Sequence, residues 1–142
     1  MTTMRLRSRL AAAATVTALV GTGALATAPS AAAKANVLTL NKVSLQQPGL
    51  RADVTYSCDK GMNHRLVANA TTLDRPGHDQ SIAAGTLKID QLVCDYADHK
   101  AQVTLRPAVG SHFAKGDKVK VTLFYFDEDG FSYAQRETVA VL

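Results

Sequence analysis

Alternation of apolar and polar side chains restricts this chain more than any other feature. From Leu50, the residues Leu50, Ala52, Val54, Tyr56 and Cys58 fall on one side of a period of two, and Arg51, Asp53, Thr55 and Ser57 on the other. Successive side chains of an extended strand point to opposite faces, so such a segment buries one face and wets the other. Val119, Val121, Leu123 and Tyr125 repeat the pattern, with Lys118, Lys120, Thr122, Phe124 and Phe126 between and after them. Beyond the first 35 residues no segment carries a helical period long enough to compete, so the chain is all-β.

Turn residues divide the rest. Val37 to Leu45 alternates less cleanly and stops at Gln47, Pro48 and Gly49, a turn signal. Asp59, Lys60 and Gly61 lead into a strand near His64 to Leu73, closed by Asp74, Arg75, Pro76 and Gly77. A fourth run, Ser81 to Cys94, contains Gly85 and is expected to bulge or break there. Lys100 to Arg106 ends at Pro107, the strand to Phe126 ends at Asp127, Glu128, Asp129 and Gly130, and Ser132 to Val141 closes the chain. About seven short antiparallel strands in about a hundred residues predict a two-sheet sandwich of immunoglobulin-like type, with an antiparallel barrel as the rival. The chain has no Trp, which sets it apart from antibody domains with their buried Trp.

The first 35 residues carry a different signal. Arg5, Arg7 and Arg9 precede a charge-free run from Leu10 to Ala28, and small residues follow from Ser30 to Ala33, the pattern of a cleaved export signal. A retained anchor needs about 20 strongly apolar residues, and this run is rich in Ala and Thr, which favour membrane transfer far less than Leu or Ile. Cleavage is expected after Ala33 or Ala35. That leaves one domain, residues 36–142, in a secreted, extracellular protein with no membrane attachment. Three of the 16 Lys and Arg leave with the signal, so 13 face 12 Asp and Glu if Lys34 stays. A balance of +1 does not call for nucleic acid as a partner. Cys58 and Cys94 are the only cysteines, and an even count in an oxidising compartment reads as one disulfide.

A resemblance rests on Tyr56-Ser57-Cys58 at the end of a strand, Val93-Cys94-Asp95, and Phe113-x-x-Gly116 before a long alternating strand, all behind an Ala-rich signal. This layout resembles that of small secreted actinobacterial proteins with an immunoglobulin-like look and one disulfide, across the whole exported chain. It implies the fold and carries no activity.

Candidate chemistry is sparse. His64, His78, His99 and His112 sit beside turn residues and lack the spacing that puts two imidazoles on one face, so they read as loop histidines without metal. Ser57, Ser81, Ser111 and Ser132 have no Gly-x-Ser-x-Gly elbow to activate a nucleophile. Asp127 to Gly130 begins like a calcium loop, but the closing glutamate is missing and turn chemistry suffices. Asn69-Ala70-Thr71 matches a glycosylation sequon inside a predicted strand of a bacterial-type secreted chain, and carries no weight. No enzyme and no cofactor are expected.

The remaining anomaly is aromatic. With the aliphatic side of the 119–125 strand in the core, Phe124 and Phe126 face outward beside Lys118, Lys120 and Thr122. A hairpin loop of two or four residues adds Tyr133, Gln135 and Glu137 to that face and Phe131 at its tip; a three-residue loop with a bulge at Gly130 turns the following strand over. Phe124, Phe126, Phe131 and Tyr133 are therefore the expected binding residues. The expected function is a secreted non-enzymatic interaction module whose partner is an extracellular protein, a glycan or a cell-wall component. The alternative is a small inhibitor or effector of a secreted enzyme, favoured by an exposed rigid loop held by Cys58 and Cys94.

Overall fold

A computed structural model describes residues 36–142, except Met62, Pro76 and the side chain of His78; the expected export signal lies outside these residues. The chain forms seven strands: β1 (Leu38–Gln46), β2 (Gly49–Tyr56), β3 (Arg65–Thr72), β4 (Ile82–Leu87), β5 (His99–Pro107), β6 (Lys118–Phe126) and β7 (Ser132–Val141). Two single 3₁₀ turns, Gly77–Asp79 and Ile89–Gln91, are the only helical segments described.

All neighbouring strands are antiparallel, in the order β1-β2-β5-β4-β3-β6-β7. β1 also lies against β6 and β7 at the far end of that order. The result is one nearly closed, barrel-like sheet, whereas alternation led us to expect two separate sheets. Its weakest seam is between β4 and β5, which pair only at Ala83 with Pro107 and Ala84 with Arg106. At that seam a Cβ on Gly85 would strike the carbonyl oxygen of Thr104. Glycine there lets two backbones approach where the sheet turns its corner.

Gly85 does not break β4 as expected. The strand runs through it and stops at Leu87, where Lys88 leads into the 3₁₀ turn. The segment to Cys94 is pulled away instead by two ties to the end of β2. Val93 N–H donates to the Tyr56 hydroxyl at 2.9 Å, and Cys94 is bonded to Cys58 with their Cα atoms 4.7 Å apart.

The core takes the apolar side of each alternation. Leu50, Ala52, Val54 and Tyr56 of β2 meet Leu66, Ala68 and Ala70 of β3, Val103 and Leu105 of β5, and Val119, Val121, Leu123 and Tyr125 of β6, all buried. Tyr125 is the largest fully buried side chain, and its hydroxyl donates to the Ser57 carbonyl at 2.9 Å. Burial without that bond would leave a polar atom unpaired at a cost of about 1–3 kcal/mol.

Opening the disulfide should be costly because it closes a loop of 36 residues' separation. Replacing both cysteines by Ala is expected to lower unfolding stability by about 3–4 kcal/mol. The urea midpoint of the double variant checks this, with an unchanged midpoint as the contrary result.

Candidate functional site

The outward row of β6 is where the sequence placed its aromatic face. Phe124 and Phe126 are half-buried, with ring centroids 5.3 Å apart and planes at 62°, the edge-to-face geometry that aromatic quadrupoles prefer. Alternation puts them there: Val121, Leu123 and Tyr125 fill the core, so the intervening positions point out. Register then adds neighbours. Val67 of β3 lies opposite Phe124 and Arg65 opposite Phe126, while Thr86 of β4 lies opposite Val67. Together with Asp127, Glu128 and Gly130, residues Arg65, Val67, Thr86 and Phe126 line a shallow groove of about 390 Å³. Arg65, Val67 and Thr86 were not identified from the sequence, since pairing order between distant strands leaves no local mark.

Tyr133 does not belong to this face. Phe126 pairs with Ser132 and Tyr125 with Tyr133, so the connection holds five residues, 127–131. An odd loop reverses the expected parity, and Tyr133 stacks inward on Tyr125 at 5.5 Å. The loop is held by Asp127, whose carboxylate accepts from Phe131 N–H at 2.8 Å, with Gly130 at φ +85°. A bulge then reverses parity again between the pair Tyr125–Tyr133 and the pair Leu123–Arg136, where Ala134 takes φ +51°. Beyond it Glu137 returns to the outer face opposite Thr122 and lies 3.8 Å from Lys120. Phe131 is 72% exposed at the base of the loop, where its carbonyl accepts from Asp127 N–H. The structure therefore joins Phe124 and Phe126, leaves Phe131 exposed without a ring contact to them, and takes Tyr133 inside.

His64 is the second correction. It is 2% exposed, not a surface loop residue, and neither ring nitrogen has a hydrogen-bond partner. Its ring lies 4.8 Å from that of Tyr133 and 6.1 Å from that of Tyr125. Burial holds its pKa below the ordinary imidazole value, against the opposing pull of Asp127, Asp59 and Glu128. The Tyr133 hydroxyl is also buried and unpartnered. Burial first, then the nearby charges of Asp127 and Asp59, push the ionisation of that phenol upward.

The other candidates keep structural company. His99 Nε2 lies 2.7 Å from Asp95 Oδ1 at the surface, and that contact is the leading reason the Asp95 carboxyl sits below its usual range. The Ser81 hydroxyl donates to the backbone carbonyl of His112 and accepts from its N–H. The Ser57 hydroxyl accepts from Val37 N–H, and that of Ser111 from Ile82 N–H. Among the described residues no group of three or more His, Cys, Asp or Glu is placed to hold a metal ion, and no helix is long and apolar enough to cross a membrane.

Comparison of the chain with protein-family models, curated proteins and solved structures gives no match.

The reversed parity separates the aromatics by mutation. Tyr133→Ser should cost about 3 kcal/mol, as loss of a large side chain packed against the core does. Tyr133→Phe should be neutral or stabilise by about 1 kcal/mol, because it removes an unpaired hydroxyl. Phe131→Ser should stay within about 0.5 kcal/mol of the parent. Denaturant titration of the three variants checks the order, and equal losses at positions 131 and 133 would contradict it.

Proposed function

We propose that the protein is a secreted, non-enzymatic interaction module that holds an extracellular protein, glycan or cell-wall component on the outer face of β4, β3, β6 and β7. The observation that carries this is the Phe124–Phe126 pair, half-exposed on a paired β-sheet and bordered by Val67, Arg65 and the acidic turn. Rigid aromatics of this kind lose little side-chain entropy on contact and act as anchors. A flat face bordered by charges of both signs suits a macromolecular partner better than a small molecule, which needs a deep enclosing cavity.

The same reading takes the architecture as an immunoglobulin-like sandwich. The two-pair seam between β4 and β5 supports dividing the sheet into β1-β2-β5 and β4-β3-β6-β7, with the apolar sides of the two parts facing each other. The resemblance to small secreted actinobacterial proteins supports the same assignment. An export signal at residues 1–35 belongs to this reading, and a disulfide is compatible with an oxidising compartment.

One observation favours the second reading, an inhibitor or effector of a secreted enzyme. The loop tied down by Cys58–Cys94 displays Val93 at 52% and Tyr96 at 57% exposure. A braced loop presenting large side chains is the form in which such proteins enter a cleft.

Capture from culture supernatant with the immobilised domain distinguishes the two. Phe124→Ser combined with Phe126→Ser should lower stability by about 1 kcal/mol and abolish capture of the partner that the parent retains. Val93→Ser combined with Tyr96→Ser should leave capture intact. The opposite pattern transfers the function to the braced loop, and unfolding of the Phe124, Phe126 variant would make those rings part of the core.

A further inference from the structure

His64 ends the connection between β2 and β3 and is buried in a cage that leaves both of its ring nitrogens without a hydrogen-bond partner. The two aromatic walls of the cage are Tyr125 of β6 and Tyr133 of β7, and the charges that act on the ring are those of Asp59 in its own connection and of Asp127 and Glu128 in the turn after β6. The next residue, Arg65, lines the outer groove with Phe126 and does not belong to the cage. Both imidazole nitrogens and the Tyr133 hydroxyl are buried without a partner, which leaves three unpaired polar atoms in one place. Native interiors rarely tolerate this.

The walls differ in strength. Tyr125 is fully buried and bonded to the Ser57 carbonyl. His64 leads directly into β3, whose Leu66 is fully buried and paired on both sides, to Leu87 and to Tyr125. The β7 wall is the weak one: β7 is the last strand in the order, its ladder to β6 is interrupted beside Tyr133, and the flanking Phe131 and Ser132 are exposed. Opening of low free energy is expected at such an edge.

We propose that His64 is an acid-sensitive latch on the β6–β7 hairpin, and that protonation of its imidazole drives Tyr133 and the 127–131 turn off the end of the barrel. Closed, the ring packs as a neutral aromatic against the two stacked tyrosines. Charged, it requires water or hydrogen-bond partners for both nitrogens, and in the closed form neither nitrogen has one. Lifting the hairpin admits water and leaves the imidazolium facing carboxylates that border the opening. Those carboxylates attract the charge in the closed form as well, but Glu128 is exposed and Asp59 and Asp127 are half-buried, and burial is the larger influence on the ring.

The direction with pH follows. The closed form binds the proton less readily than the open form, whose imidazole has the ordinary value near 6.5. Closure is therefore complete above that value and weakens as pH falls below it, down to the lower value of the closed state. The latch is independent of what the outer face binds, although the hairpin it releases carries the exposed Phe131.

Hydrogen–deuterium exchange of the full purified protein at about pH 7.5 and about pH 5.5, corrected for intrinsic chemical rates, tests this. Amides of residues 127–135 should lose protection several-fold on acidification, at most about tenfold per pH unit for one proton, while β2 and β5 hold theirs. His64→Phe should keep the hairpin protected at both pH values. His64→Gln, uncharged throughout, takes its place if the phenylalanine variant does not fold. Imidazole resonances of the parent, followed by nuclear magnetic resonance, should show His64 titrating below 6.5 together with the hairpin. Hairpin protection that ignores pH, the same acid response in the variant, or His64 titrating at or above 6.5 would overturn the latch.

Discussion

The bond from the Tyr125 hydroxyl to the Ser57 carbonyl ties the far ends of β6 and β2 across the core. Around it the same end of the molecule is pinned three more times. The Tyr56 hydroxyl accepts from Val93 N–H, Cys58 is bonded to Cys94, and Ser57 N–H donates to the Val37 carbonyl. Each tie satisfies a group that burial would otherwise leave unpaired or closes a loop that would otherwise cost entropy. Together they fasten β6, the start of the chain and the β4–β5 connection to the end of β2.

That pinning explains why the outer face and the hairpin end behave differently. Phe124 and Phe126 stand on a strand paired on both sides, and their inner neighbours are locked, so the face is presented without freedom to collapse. One residue beyond β6, support comes from the Asp127 turn, from Tyr133 and from a long hydrogen bond that the Asn63 side chain donates to the Glu128 carboxylate. A rigid aromatic surface and a loosely braced edge thus share one hairpin, and a proton on His64 acts on the second without touching the first.

Much of this was legible in the residues. The inner faces of β2 and β6 follow directly from their alternation, and the boundaries of β3, β5, β6 and β7 fall close to the turn signals that predicted them. The Cys58–Cys94 pair is present, and Phe124 and Phe126 lie on the side that alternation assigns to them. His64 was misplaced because turn residues on its N-terminal side suggest exposure, whereas Tyr125 and Tyr133 close over it from strands some 60 to 70 residues away in the chain.

By itself, the sequence determined that the chain is built from antiparallel strands, which face of each strand is apolar, and which two cysteines were available to each other. These are local properties: period two is set by backbone geometry, and no distant contact is needed to express it. Tertiary structure alone decided the strand order and nearly closed sheet, the corner at Gly85, and the side to which Tyr133 belongs. The last depends on an odd loop followed by a bulge at Ala134, two single-residue shifts that each reverse every later side chain. Nothing in the residues Phe131 to Gln135 records such shifts, because they are chosen by how well Tyr133 packs against Tyr125 and His64.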